Sequence, residues 1–303
     1  WLNGLATNSF RGRLLAAYSA LVIGGFGAGQ LLVFGFDAVE VTGFAIAAAM
    51  ISLAVVPVTI SVQATTPDVS ESRSLSMREL ARTVPTGAAT ILLVGLAHGG
   101  LLGLAAIYAT REGLGVGRVG LFLAAIQFGG MFFALPISGA SDDIDRRVIG
   151  VIASLGAAGA ATVLFVQPAT SIAAVAVMFV IGGFSSPLYA IAGAYTNDWI
   201  SAEHLSGAAS KLVTLYGVGA MVGPLVTSTF MEVFGSDGFV WSIIATHLLI
   251  AAFLAYRTRA WHAPLTNRPW AEVSFPARAF FVPATVVSLG IGTWRRRPKD
   301  PAQ

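Results

Sequence analysis

Apolar residues gather into eight blocks along the chain, at 14–36, 41–62, 87–109, 119–138, 148–167, 171–195, 212–234 and 238–256. Charges, prolines or turn residues break each block from the next. A block of about 20 residues is the length a helix needs to cross a bilayer core. The blocks are continuous rather than alternating, which predicts helices and not the strands of a barrel. Many of the 34 glycines sit inside them. In lipid, small residues let helices approach closely while backbone hydrogen bonds stay satisfied. The pattern predicts an all-α polytopic membrane protein with eight visible transmembrane helices.

Composition agrees. The 303 residues are 55% hydrophobic and 11% charged, against roughly 25% charged in soluble domains. So few charges cannot build a water-facing surface. The chain has no cysteine, which excludes disulfides, thiol chemistry and Cys-based metal sites. Its four histidines show no ligand spacing, so neither a metal nor a cofactor is expected. The chain opens on Trp1 next to a helix start, with no initiator Met and no signal peptide, as a fragment would.

Charge placement sets the expected orientation. With Arg11 and Arg13 on the cytoplasmic side, eight crossings place 16 of the 18 basic residues inside and only Arg111 and Arg118 outside. The opposite topology inverts that ratio. The basic balance is thus a topology signal. Nucleic-acid binding needs a clustered, water-facing patch, and none is visible before the tail.

The long segment 63–86 separates two blocks from six. Within it Ser76-Met77-Arg78-Glu79 reads as a capping box, followed by Leu80 and a stop at Pro85. Either a short helix on the membrane surface or a polar connector fits. In the tail, 257–303, the apolar run from Ala279 to Trp294 is short for a span and is broken by Pro283. Interfacial contact or disorder is expected there, with Arg295, Arg296 and Arg297 favouring anionic headgroups.

The first and seventh blocks share a pattern. Arg13-Leu14-x-x-x-Tyr18 with Gly25 aligns on Lys211-Leu212-x-x-x-Tyr216 with Gly223, at a constant offset of 198. Gly43-Phe44 and Gly238-Phe239 open the blocks that follow. The repeat unit is then six spans, and two parallel six-span halves form a known transporter plan. The expected divisions are 1–62 for the last two spans of a first half, 63–86 for a central cytoplasmic loop, 87–256 for a six-helix second half and 257–303 for a cytoplasmic tail. Four spans of the first half would precede Trp1.

At these residues the chain resembles the major facilitator superfamily, in particular its YcaD-like bacterial branch. Trp1-Leu2-Asn3, Arg11-Gly12-Arg13-Leu14-Leu15-Ala16-Ala17-Tyr18 and Gly29-Gln30-Leu31-Leu32 look like that branch's fifth span. The run Pro136-Ile137-Ser138-Gly139-Ala140-Ser141-Asp142-Asp143-Ile144-Asp145-Arg146-Arg147 looks like the superfamily's cytoplasmic signature after the eighth span. Gly217-x-Gly219-x-x-x-Gly223-Pro224 resembles the eleventh. Ser138, Asp143 and Asp145 depart from the signature, whereas Asp142, Arg146 and Arg147 match it. The likeness covers most of 1–256.

The resemblance implies a conformational gate in which Asp142 meets the start of the first visible span near Arg11 and Arg13, with Arg146 and Arg147 in the same turn. The plainer reading is a solvated turn. It also implies that Gln30, Gln127, Tyr189 and Tyr195 border a central cavity, where they bond a solute or bridge helices. His98, midway through its span, either takes part in proton coupling or is a neutral interhelical group. His247 is a weaker candidate for the same role, because the resemblance puts its span at the periphery. Tyr18 and Tyr216 read as interfacial anchors, and Asn197-Asp198 as a loop or helix end. Gly25, Gly219 and Gly223 suit close packing, and Pro224 a kink. No Asp, Glu, Lys or Arg lies mid-span.

The expected function is secondary active transport of a small solute by alternating access, with protons as one coupling option, in a bacterial inner membrane. The protein is expected to be monomeric when complete and to have the lipid bilayer, not nucleic acid, as partner. A non-transporting membrane receptor or scaffold on the same fold is the alternative. No cluster of nucleophile, acid, base or metal residues points to an enzyme.

Overall fold

A computed structural model describes residues 11–32, 41–60, 75–201 and 204–260. Among these there is no strand. The helices are α1 (Arg11–Leu32), α2 (Val41–Ile60), α3 (Met77–Thr83), α4 (Pro85–Arg111), α5 (Val116–Asp143), α6 (Arg146–Thr162), α7 (Ile172–Ser185), α8 (Pro187–Trp199), α9 (Leu205–Phe234) and α10 (Asp237–Ala260). A 3-10 turn, Val163–Phe165, extends α6. The apolar run predicted within the tail lies outside the described residues.

Among the described residues, six spans are long and apolar enough to cross a membrane. They are Pro85–Arg111, Val116–Ala134, Arg146–Phe165, Ile172–Trp199, Gly207–Phe234 and Asp237–Ala260. The first two predicted blocks yield shorter apolar stretches, Val22–Leu32 and Val41–Pro57.

Local chemistry explains several boundaries. The Ser76 hydroxyl accepts from the Glu79 backbone N–H at 3.2 Å, which starts α3, and Leu80 on that helix is fully buried. Pro85 stands at the first position of α4, where its missing N–H costs nothing. Gly113 with φ +80° closes the turn after α4, and Gly235 with φ +64° ends α9; both conformations favour glycine.

Two differences from the predicted pattern matter. The block 171–195 is a broken span: α7 ends at Ser185 and α8 begins at Pro187, because proline supplies no N–H to continue the ladder. The block predicted to begin at 212 is helical from Leu205. Tyr216 is therefore 11 residues into α9, about 16 Å along its axis at 1.5 Å per residue.

The second-half helices pack through small residues. Gly95 and Gly99 of α4 face the backbone of Tyr216 and Ala220 on α9. In return Gly219 and Gly223 of α9 face the backbone of Leu92, Leu96 and Gly100 on α4. Gly103 lies 3.1 Å, measured from an added Cβ, from the Pro224 ring. Pro224 sits inside α9 without ending it. It removes the N–H that the Ala220 carbonyl would accept, and that carbonyl instead faces Gly99. A second seam sets Gly129 and Gly130 of α5 against Phe179 and Ser186, and Gly182 and Gly183 against Ile126 and Phe133. Helix α1 packs on α5, with Gly27 against the Phe128 ring. Gly25, predicted to pack, has nothing within 4 Å of an added Cβ among the described residues. Away from the charged end, Tyr108 stacks on Phe239 at 4.6 Å beside Phe122.

Candidate functional site

The middle of the bundle holds a polar chain built from four helices. His98 of α4 is 8% exposed. Its Nε2 lies 3.0 Å from the Ser185 backbone carbonyl, and its Nδ1 lies 3.1 Å from the Tyr216 hydroxyl. The Ser185 hydroxyl lies 2.9 Å from Nε2 of His247. Nδ1 of His247 lies 2.8 Å from the Ile243 carbonyl. Ser185 and His247 are both fully buried.

Partners assign the protons. A carbonyl only accepts, so His98 donates from Nε2 and His247 donates from Nδ1. In the neutral forms, Tyr216 O–H then donates to Nδ1 of His98 and Ser185 O–H donates to Nε2 of His247. Ser185 is the joint: its carbonyl serves one imidazole and its hydroxyl the other. The carbonyl is available because α7 ends there, and the last carbonyls of a helix lack intrahelical partners.

Tyr216 is partly exposed and meets the partly exposed Tyr189 ring edge-on at 5.1 Å. The structure thus brings His98 and Tyr189, both predicted from the sequence, into one cluster through Tyr216. The interfacial-anchor reading of Tyr216 is corrected by the early start of α9. His247, on a span that the resemblance puts at the periphery, and Ser185 complete the chain. A Ser-Ser-Pro run inside an apolar block was the available signal for the break and its freed carbonyl. Gln30 on α1 and Gln127 on α5 are half-buried, and Gln127 neighbours the Phe128 that α1 packs against.

Tyr195 belongs elsewhere. It is buried at the basic end of the bundle, its ring 6.0 Å from the Arg147 guanidinium. There Arg146 and Arg147 are 3% and 2% exposed, so neither forms part of a solvated turn. Arg146 Nε donates to Asp198 at 2.7 Å, with the two side chains 3% and 5% exposed. Its Nη1 reaches the Ser141 hydroxyl at 3.1 Å and the Ser141 carbonyl at 3.2 Å. Asp198, read from sequence as a plain helix end, is a buried ion-pair partner in the last turn of α8. A carboxylate closing a span on the side that carries the arginines was the signal.

Arg147 donates to both Asp145 oxygens, Nη2 to Oδ2 at 2.7 Å and Nε to Oδ1 at 3.1 Å. It also donates to the Arg257 carbonyl at 2.9 Å, in the last turn of α10, where a cation is favoured. Arg257 Nε donates to the Thr86 hydroxyl at 2.7 Å. Asp145 caps α6 by accepting from the Arg147 N–H at 2.9 Å. Burial works to raise the Asp145 carboxyl, but the hydrogen bonds from the Arg147 side chain and backbone, with its charge, outweigh it and hold the carboxyl below its usual range. These contacts tie α4, α5, α6, α8 and α10 together at one end. The side chains of Arg11, Arg13 and Asp142, the other predicted gate members, lie outside the described residues.

Among the described residues, no group of three or more His, Cys, Asp or Glu side chains could hold a metal ion. The family model described as Major Facilitator Superfamily matches residues 87–299. A protein of Escherichia fergusonii named "Uncharacterized MFS-type transporter YcaD" is 25% identical over 272 residues, covering 88% of this chain and 68% of its own length. Its namesake in Escherichia coli O7:K1 is 26% identical over 266 residues, covering 85% and 66%. The namesake in Salmonella arizonae is 24% identical over 268 residues, covering 88% and 68%. The chain spans about two thirds of the length of these relatives. No solved structure matches. Six spans of the right length joined through glycine seams, a buried arginine cluster at one end and a family match across most of the chain have one common source: this is a multi-pass membrane protein that belongs to the major facilitator superfamily and, within it, is similar to the YcaD-like bacterial branch.

Proposed function

We propose that the protein is a secondary active transporter of a small solute, working by alternating access. The observation that carries this reading is the polar cluster of His98, Tyr216 and Tyr189 within spans that hold no full charge at that depth. Polar groups are costly inside a membrane and mark solute or ion pathways. Helices α4 to α10 make the second six-span half, and α1 and α2 supply two spans of the first, giving the eight-span count. Segment 63–86 joins the halves on the cytoplasmic side. The basic end of the bundle, Arg11, Arg13 and the tail face the cytoplasm of a bacterial inner membrane. Gln30 and Gln127 complete the solute-facing wall, and Asp142 gates the inner side. The complete protein acts as a monomer and needs no cofactor.

The test is flux through the full-length protein in proteoliposomes carrying a lumenal pH dye and challenged with a broad solute panel. Solute-dependent proton movement that is lost in His98→Gln and weakened in Gln127→Ala is expected. No flux across the panel would favour a receptor or scaffold. For the gate, Asp142→Asn should shift the inside/outside accessibility of introduced cysteines, and unchanged accessibility sinks that assignment.

A further inference from the structure

We infer that Tyr216 is a solute-facing group whose hydrogen-bonding sense is set by a proton on His98. With His98 neutral, Tyr216 offers the cavity an acceptor; with His98 protonated, it offers a donor. The inference rests on the porter reading and names the solute chemistry that reading leaves open. A solute presenting a carboxylate or carbonyl oxygen binds the protonated state.

The geometry leaves one atom for an arriving proton. Nε2 of His98 already carries a hydrogen, because it is bonded to the Ser185 carbonyl. Nδ1 accepts from Tyr216. The imidazole is almost wholly buried, whereas Tyr216 is partly exposed, so the proposed proton path runs through the tyrosine. In the transfer, a hydronium in the cavity gives a proton to the Tyr216 oxygen and leaves as water. The original O–H bond breaks, and its proton forms the Nδ1–H bond. Tyr216 stays neutral throughout, and His98 gains one positive charge. The oxygen now accepts from Nδ1–H, and its new O–H points away from His98. The hop itself therefore reverses the hydroxyl.

The surroundings single out His98. From α10 the titratable neighbour is His247, fully buried, with one nitrogen on Ser185 and the other on Ile243. From α8 it is Tyr189, against the Tyr216 ring. Helix α7 contributes Ser185, which does not titrate. Helix α4 has no Asp, Glu, Lys or Arg between Pro85 and Arg111, α9 none between Lys211 and Glu232, and α10 none between Asp237 and Arg257. A proton on His98 is thus the one full charge at that depth among the described residues. At low dielectric it attracts an acceptor oxygen strongly.

The experiment uses the full-length protein in lipid nanodiscs, with 15N-labelled histidine and tyrosine labelled with 13C at Cζ. NMR spectra are followed from about pH 8 to about pH 5, the range in which imidazole titrates. His98→Gln and Tyr216→Phe assign the signals. At the alkaline end His98 should carry hydrogen on Nε2 alone. On acidification Nδ1 should gain a hydrogen, and the Tyr216 Cζ signal should move with the same midpoint. In His98→Gln the Tyr216 signal should stay still, while magnetisation from bulk water still reaches Tyr216. The inference is overturned if His98 stays neutral throughout, if it titrates without moving Tyr216, if Nδ1 carries the hydrogen at alkaline pH, or if Tyr216 has no contact with water. None of these signals requires flux. Failed transport with an intact coupled shift removes the porter reading alone, and transport without the shift removes the switch alone.

Discussion

Helices α4 and α9 meet backbone to backbone, and Gly99→Ala tests how much depends on that approach. A Cβ added at Gly99 falls on the Ala220 carbonyl oxygen, 2.7 Å from Ala220 Cα and 2.8 Å from its carbonyl carbon. Ordinary contact for a Cβ begins near 3.4 Å. These are main-chain atoms of a helix, so no side chain can turn aside, and α9 must move bodily away from α4. Overpacking of this kind costs about 1–3 kcal/mol. At about 2–4 °C per kcal/mol for a body of this size, the overpacking cost alone lowers the melting temperature by roughly 2–12 °C. The assay is intrinsic tryptophan fluorescence of the full-length protein in detergent. Gly159→Ala is the control, because a Cβ there meets nothing within 4 Å. Melting of Gly99→Ala within a degree of both wild type and the control would refute the account of the seam. Because α9 carries Tyr216, the substitution should also lengthen the 3.1 Å contact to His98, seen as a changed imidazole 15N signal.

Three other outcomes follow from single contacts. Asp198→Asn takes the Asp198 carboxylate away from the buried Arg146 and should destabilise by up to about 3 kcal/mol, the lower edge for a broken buried pair, since Ser141 still accepts from Arg146; a double variant, Arg146→Met with Asp198→Met, should melt higher than the single one, and the reverse order would show that the pair is not coupled. Asp145 has a folded pKa below the ordinary carboxylate value, so its stabilisation is fully present above that ordinary value and is lost as pH falls through the lower folded one; Asp145→Asn should therefore show a smaller loss of melting temperature than wild type on acidification from about pH 6 to about pH 3, and parallel losses would rule this out. Ser185→Ala strips the donor from Nε2 of His247 and should cost about 1–3 kcal/mol, yet His98 should keep its Nε2–H form because the carbonyl remains; a change of His98 tautomer would contradict the assignment.

Much of the architecture is legible along the chain, and the reason is the solvent. In lipid, backbone groups must bond within their own helix, so the last six apolar blocks mark the six spans and several of their glycines mark where spans touch. The capping box at Ser76, the seam at Gly219 and Gly223 and the mid-span position of His98 all follow from local sequence. Pairing does not. Asp198 and Arg146 are 52 residues apart, and nothing local separates a solvated helix end from a buried ion pair. The depth of Tyr216 is hidden in the sequence because Ser206, Ser210 and Lys211 interrupt the apolar pattern over the first turns of α9, where Ala208 is fully buried.

By itself, then, the sequence determined the environment, the helices and the family, because each is encoded in runs of neighbouring residues. Only the tertiary structure decided that a helix break at Pro187 turns the Ser185 carbonyl toward His98, that one serine joins two imidazoles, and that two buried arginines bind separate carboxylates. Those contacts join residues up to 87 positions apart. They exist because glycine seams bring particular helix faces together at a particular height, and no local pattern records that.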